Sequence, residues 1–344
     1  MSRGVALLTL ALAVASCSVA VVPADSTTVK GMADEWIGNF DTGDFSEWTG
    51  IQRVAPDRIS LVTSPVRDGR YAARFEVRSG DFSVGPTGER AELYVSTPDR
   101  PGTEAYYAWS TLFPKDFSSD GNWKHMFAQW HGPGSSGSGV SFQVSHGRLV
   151  ARVGSPYTPT QWQQYDLGPL VHDVWQDFIF HVRWAADASG FVEIWRNGVR
   201  VVPVRYGINC APDHANYLKL GYYRDPSPIP AVLYEDAMRR GSTLSEVVEP
   251  FRLKFVSPPT LWKGTLSIDA TSFAAARIDV KVRTARTGRV LLHNVLWTDG
   301  SGRTSVQLPF RHPARGAMSV QLRALVDKTL VQAAGRVTAP LQRP

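Results

Sequence analysis

The chain has 344 residues, 43% hydrophobic and 20% charged, the balance of an ordinary folded protein long enough for two domains. A net charge of +6 favours polyanionic partners in general. No Lys/Arg block and no zinc-finger spacing is present, which argues against nucleic acid as a partner.

Residues 1–24 read as an export signal: Arg3, an apolar run from Val5 to Val14, then small residues, with Val22-Pro23-Ala24 as a cleavage site before Asp25. A secreted protein is the expectation. Val14-Ala15-Ser16-Cys17 also fits a bacterial lipobox, in which Cys17 would be lipidated and would hold the chain at a membrane. The apolar run continues past Cys17, which favours plain secretion. No later segment is apolar for long enough to span a bilayer. With Cys17 removed or lipidated, Cys210 has no partner in the chain, so a buried, inert thiol is expected there.

The folded part opens with Asn39-Phe40-Asp41-Thr42-Gly43-Asp44-Phe45-Ser46-Glu47-Trp48. This turn-rich stretch offers oxygen ligands of the kind a structural calcium ion takes, although Asp/Gly turns also close without metal. Strand candidates then recur at Ile59–Thr63, Tyr71–Val77, Arg90–Ser96, Tyr106–Phe113, Trp123–Trp130, Val140–Val144, Leu149–Val153, Trp175–Trp184, Gly190–Arg196, Tyr217–Tyr223 and Ala231–Ala237. Asp187-Ala188-Ser189-Gly190 and Arg196-Asn197-Gly198 are hairpin signals. Short strands separated by turns predict an all-β sandwich over residues 25–249, with one helical turn at Thr243–Val248. Residues 250–262, with Ser257-Pro258-Pro259, read as a linker. Residues 263–344 carry further strand candidates (Gly264–Ala270, Ala276–Thr284, Arg289–Trp297, Thr304–Pro309, Met318–Val326) and read as a smaller, immunoglobulin-like β-sandwich, accessory or spacer in role. Gly132-Pro133-Gly134-Ser135-Ser136-Gly137-Ser138-Gly139 reads as a flexible cleft-rim loop.

Three stretches carry candidate chemistry. Alternation along Tyr217-Leu218-Lys219-Leu220-Gly221-Tyr222-Tyr223-Arg224-Asp225 places Tyr217, Lys219, Gly221 and Tyr223 on one face and apolar residues on the other. A glycine inside a strand suggests close approach to the backbone, so this face reads as a floor for an anionic ring. Gly88-Glu89-Arg90-Ala91-Glu92-Leu93 puts Arg90 and Glu92 on one face, and Phe127-Ala128-Gln129-Trp130-His131 does the same for Gln129 and His131.

In this order, Arg90-Ala91-Glu92-Leu93, Gln129-Trp130-His131 and Tyr217-Leu218-Lys219-Leu220-Gly221-Tyr222-Tyr223 resemble the Arg-x-Glu-Leu, Gln-(Ile/Val)-His and Tyr-Phe-Lys-Ala-Gly-x-Tyr strands of alginate lyases of the jelly-roll type. The flanking text, including Ser64-Pro65-Val66-Arg67-Asp68-Gly69 and Val232-Leu233-Tyr234-Glu235-Asp236-Ala237, is more similar to the heparin lyase I-like and family 20 glucuronan lyase group. The resemblance covers residues 35–249 and implies a concanavalin A-like jelly roll. Tyr94 stands where alginate lyases usually have a second Arg, and Trp130 replaces Ile or Val. Both departures count against alginate.

β-Elimination of a 4-linked uronate removes H5 beside a carboxylate and expels O4. That proton is far too weakly acidic until the carboxylate's charge is offset. Arg90 offers a planar fork and Gln129 an amide donor for this purpose. His131, with an ordinary pKa of about 6.5, suits the base, and Tyr223, with one of about 10, suits the acid. Lys219 serves to lower that phenol's pKa or to bind a neighbouring carboxylate, and Tyr217, Glu92 and Arg224 are assigned to substrate binding. In glucuronate and mannuronate H5 and O4 share a side of the ring, so Tyr223 alone could make both transfers. In iduronate and guluronate they lie on opposite sides, and His131 and Tyr223 would flank the ring. The chemistry requires no cofactor or metal. The expected partner is an anionic polysaccharide (glucuronan first, then alginate or a heparin-like chain), and the protein is expected to act as a monomer. A hydrolase is disfavoured, because no Glu-x-Asp-x-x-Glu strand is present. The rival from another class is a non-catalytic, lectin-like binding module, which needs a cleft but no acid and base.

Overall fold

The computed structural model describes residues 33–118, 124–132, 137–155, 162–310, 318–324 and 334–339. The export signal, Cys17 and residues 133–136 of the rim loop lie outside the described residues. Among the described residues, no helix is long and apolar enough to cross a membrane.

Two antiparallel sheets face each other. The outer one runs β13 (Val199–Tyr206), β12 (Phe191–Arg196), β11 (Trp175–Arg183), β6 (Glu104–Leu112), β15 (Ala231–Gly241), β4 (Ala72–Val77) and β3 (Ile59–Val62), with β1 (Trp36–Gly38) also pairing β15. The inner one runs β10 (Gln163–Pro169), β9 (Arg148–Val153), β8 (Ser138–Ser145), β7 (His125–His131), β14 (Tyr217–Arg224), β5 (Glu89–Ser96) and β2 (Gly50–Gln52). Neighbours far apart in sequence, such as β14 between β5 and β7, give the crossed connectivity of a jelly roll. The core between the sheets is aromatic: Tyr107, Trp109, Phe127, Trp130, Phe142, Phe178, Phe180 and Trp184. Trp130 is fully buried against Tyr107, Trp109, Phe142 and Phe180, so its departure from Ile or Val alters core packing and leaves the cleft untouched.

Local signals explain the turns. Asn197 (φ 48°) and Gly198 (φ 77°) make the β12–β13 hairpin with both central residues left-handed. The one-turn helix α1 (Leu244–Val247) starts at Thr243, whose N–H is accepted by Glu246 Oε2 at 3.1 Å. Asp41 Oδ1 accepts the Arg70 N–H at 2.7 Å, which ties the Asp/Gly-rich opening to the β3–β4 turn. Cys210 is buried and its thiol pKa is pushed up to about 12 by burial.

Residues 254–339 build a second pair of sheets around their own core: β16 (Lys254–Trp262), β17 (Thr265–Thr271) and β20 (Arg303–Pro309) in one, and β19 (Val290–Trp297), β18 (Arg277–Thr284), β21 (Met318–Ala324) and β22 (Ala334–Ala339) in the other. The segment expected as a linker is thus mostly strand, since Lys254–Trp262 pairs with Thr265–Thr271. This unit docks on the exposed side of the outer sheet. Phe251, Phe273 and Ala276 pack against Ala108, Ile179 and Trp195. Beside them Arg67 pairs with the fully buried Asp177 at 2.8 Å and donates to the Ser272 carbonyl at 2.8 Å, while the Ala274 N–H donates to Asp177 at 2.9 Å.

Candidate active site

β14 is hydrogen-bonded to β5 on one side and β7 on the other. The register sets Tyr223 opposite Arg90 and Lys219 opposite Tyr94 on β5, and Lys219 opposite Gln129 and Tyr217 opposite His131 on β7. Directly opposed residues point to the same face. Alternation sends Leu218, Leu220, Tyr222, Ala91, Leu93, Ala128 and Trp130 into the core and leaves the polar set outside. There Arg90, Gln129, His131, Tyr217, Lys219 and Tyr223 line one cleft of about 500 Å³, together with Gln52, Thr87, Lys124 and Ser138.

At one end of the cleft stands Tyr223. Its hydroxyl donates to the Thr87 carbonyl at 2.6 Å and accepts from Lys124 Nζ at 3.0 Å. The Arg90 guanidinium lies 4.0 Å from the centre of its ring. Arg90 Nη2 is held by Thr87 Oγ1 at 2.7 Å, while its buried Nε–H has no partner among the described residues. One cation thus contacts the Tyr223 oxygen and a second covers its ring, a setting that would favour a phenolate. Lys124, not Lys219, fills that position. Sequence reading missed Lys124 because strict alternation along the expected strand Trp123–Trp130 puts it on the core side with Ala128 and Trp130, whereas a register shift between Met126 and Ala128 turns it into the cleft.

In the middle, Glu92 lies beneath the floor and is 2% exposed. It accepts from Gln129 Nε2 at 2.6 Å and stands 3.4 Å from Arg90 Nη1 and 3.5 Å from Lys219 Nζ. The assignment of Glu92 to substrate binding is corrected by this geometry: its carboxylate is used up in orienting three cleft residues. Because a carboxylate only accepts, the amide nitrogen of Gln129 must face it, which leaves the second N–H of that amide for a ligand. Lys219 also donates to Gln52 Oε1 at 2.9 Å, and burial lowers its pKa, with Glu92 opposing and Arg90 adding to the shift.

At the far end His131 Nδ1 is 2.6 Å from the Gly132 carbonyl. A carbonyl cannot donate, so Nδ1 carries the hydrogen and Nε2 is left as the basic nitrogen. Burial lowers the His131 pKa below the ordinary histidine value, with Lys219 and Arg90 adding to the shift and the Gly132 carbonyl opposing it. The imidazole is therefore neutral at pH 7. The Tyr217 ring lies 5.0 Å from it, tilted by 38°, and its phenol pKa is pushed up to about 12 by burial and by Glu92. Tyr217 is thus a donor rather than a base. Along β14 it stands six residues from Tyr223, a backbone separation of about 20 Å, so His131 and Tyr223 stand toward opposite ends of the cleft.

Two further expectations change. Arg224 is 2% exposed, points away from the cleft, and is held by Glu89 at 2.9 Å and by the carbonyls of Ser227 and Ile229. It is a structural cation. Gly221 (φ 131°) is required by the protein's own packing: a Cβ there would sit 2.5 Å from the Ala91 carbonyl oxygen and 2.7 Å from the Phe75 ring. Among the described residues, no group of three or more His, Cys, Asp or Glu side chains is placed to hold a metal ion.

A jelly-roll sandwich whose inner face carries arginine, glutamine, neutral histidine and tyrosine in one cleft has the build of a polysaccharide lyase. A model of that family, described as polysaccharide lyase, matches residues 40–239, and the chain belongs to it. The second sandwich lies outside the match. The endo-β-1,4-glucuronan lyase of the fungus Trichoderma reesei aligns with a TM-score of 0.53 at 16% identity, covering 62% of this chain and 98% of that one. This likeness concerns the fold. The PL-14 alginate lyase of Aplysia kurodai aligns at 0.43 and 14% identity (62% and 99% covered), and the catalytic domain of a family 131 glycoside hydrolase from Coprinopsis cinerea at 0.45 and 16% (62% and 96%). No curated protein sequence matches the chain.

Proposed function

We propose that this polysaccharide lyase is a secreted enzyme acting on a 4-linked polyuronate by β-elimination, with glucuronan as the first substrate, ahead of alginate and heparin-like chains. The observation that carries this reading is the setting of Tyr223, with Lys124 on its oxygen, Arg90 over its ring, and His131 at the opposite end of the cleft. In glucuronate H5 and O4 lie on one side of the ring, so one residue can remove the first and protonate the second. Tyr223 takes H5 as the phenolate, stabilised by Lys124, and returns the proton to O4 as that bond breaks. Arg90, through its unfilled Nε–H, and Gln129, through its second amide hydrogen, bind the carboxylate and stabilise the enolate-like state. His131, at the other end of the cleft, offers a neutral acceptor through Nε2 to a neighbouring sugar, which Lys219 and Tyr217 help to hold. A binding module would need no such base-and-acid set, and the gathering of these groups in one cleft supports the enzyme.

The test is an ultraviolet assay for unsaturated uronate on glucuronan, alginate, heparin and hyaluronan. Glucuronan is expected to give product. Tyr223→Phe is expected to lower kcat by at least about a hundredfold, and His131→Ala to cost distinctly less. Equal loss in the two variants would transfer the base to His131. Product from none of the four, with binding intact, would replace the enzyme by a binding protein.

A further inference from the structure

We infer that Arg152 and Trp162 form a second uronate subsite at the β9–β10 end of the inner sheet, holding the carboxylate of a sugar beyond the reacting one. This rests on the polyuronate reading and deepens it. The register runs in one row across the sheet, from Lys219 to Gln129 to Ser141 to Arg152 to Gln164. Opposed residues share a face, so Arg152 looks out on the same side as Gln129. It lies two strands further on, about 10 Å away, a distance on the scale of a disaccharide.

The local chemistry suits a uronate. The Arg152 guanidinium sits 5.2 Å from the centre of the Trp162 ring, an arrangement that holds its plane while leaving its N–H edges free. Its neighbour Arg148 is committed to Asp166, whereas Arg152 pairs with no carboxylate among the described residues. A planar fork for a carboxylate beside the Trp162 face for sugar C–H groups suits an acidic sugar. A chain lying across the strands from the cleft would reach it without bending.

The test uses the full chain with size-defined glucuronan trisaccharide and hexasaccharide, then those of alginate and hyaluronan. kcat/KM is measured for wild type, Arg152→Ala, Arg152→Lys and, as a charge control on the outer sheet, Arg183→Ala. Hexasaccharide binding to Tyr223→Phe, with and without Arg152→Ala, is measured by calorimetry. Arg152→Ala is expected to lower the hexasaccharide-to-trisaccharide ratio of kcat/KM about tenfold through KM, and to weaken hexasaccharide binding as much. Arg152→Lys should restore part of the ratio, and Arg183→Ala should leave it at the wild-type value. Equal changes at both lengths, or unchanged hexasaccharide binding, would overturn the subsite. If no uronan yields unsaturated product, the lyase reading fails separately. Arg152-dependent hexasaccharide binding would then still support the subsite, and binding that is absent or independent of Arg152 would still overturn it.

Discussion

A buried carboxylate under a site proposed to bind carboxylates is a cost, and Glu92 shows what offsets it. It organises Arg90, Gln129 and Lys219 at once, and cations still outnumber it in the cleft. Alternation gave its face but could not give its depth, so the sequence marked it as a ligand contact. Arg224 misled for a related reason: parity places it on the core side, and the motif alone does not show that Glu89 waits there. His125 carries a prediction at this scale. It is 5% exposed, 2.7 Å from the Tyr222 hydroxyl, and its pKa is lowered to about 4 by burial, with Arg224 adding to the shift. Because the folded value lies below the ordinary 6.5, the unfolded chain binds more protons between the two. Stability present above pH 6.5 is therefore lost as pH falls through about 4. The melting temperature should fall across that window, and His125→Gln should flatten the slope. A slope unchanged in the variant would assign the acid sensitivity to other groups.

Strands declare themselves by period two only when one face is dry. Those bearing the site, β5, β7 and β14, do so, and their motifs were legible to within a residue or two. The edge strands β10 and β13 were not, because an edge exposes both faces and tolerates Pro203. The strand β16 hid behind Pro258-Pro259 for the same reason, being an edge of its sheet. What alternation cannot show is a contact between loop and strand. Gly88 (φ 142°) lies where a Cβ would come 2.5 Å from the Tyr223 ring and 2.6 Å from the Arg224 carbonyl oxygen. Gly88→Ala should therefore move the tyrosine and abolish most turnover while the protein stays folded. Near wild-type kcat, with an unaltered circular dichroism spectrum, would show that the tyrosine's placement tolerates the shift.

Across the whole molecule, the buried Arg67–Asp177 pair joins both sandwiches. Ser110 Oγ donates to the same carboxylate at 2.7 Å. Removing the arginine leaves Asp177 charged, fully buried and short of its main partner. Arg67→Ala should cost about 3–5 kcal/mol, read by denaturant unfolding. The single variant is the informative one, since it leaves the charge stranded; a cost under about 1 kcal/mol would show that the remaining donors suffice. The sequence held no sign of this union, because Arg67 and Asp177 lie 110 positions apart and Arg67 sits in a turn, outside any strand period.

The second sandwich covers the side of the outer sheet opposite the cleft. The enzyme is thus mounted by its back. Molecules immobilised through the C-terminal unit would all present their clefts to the open medium, in one orientation, and should keep full turnover on polymers too large to diffuse beneath them.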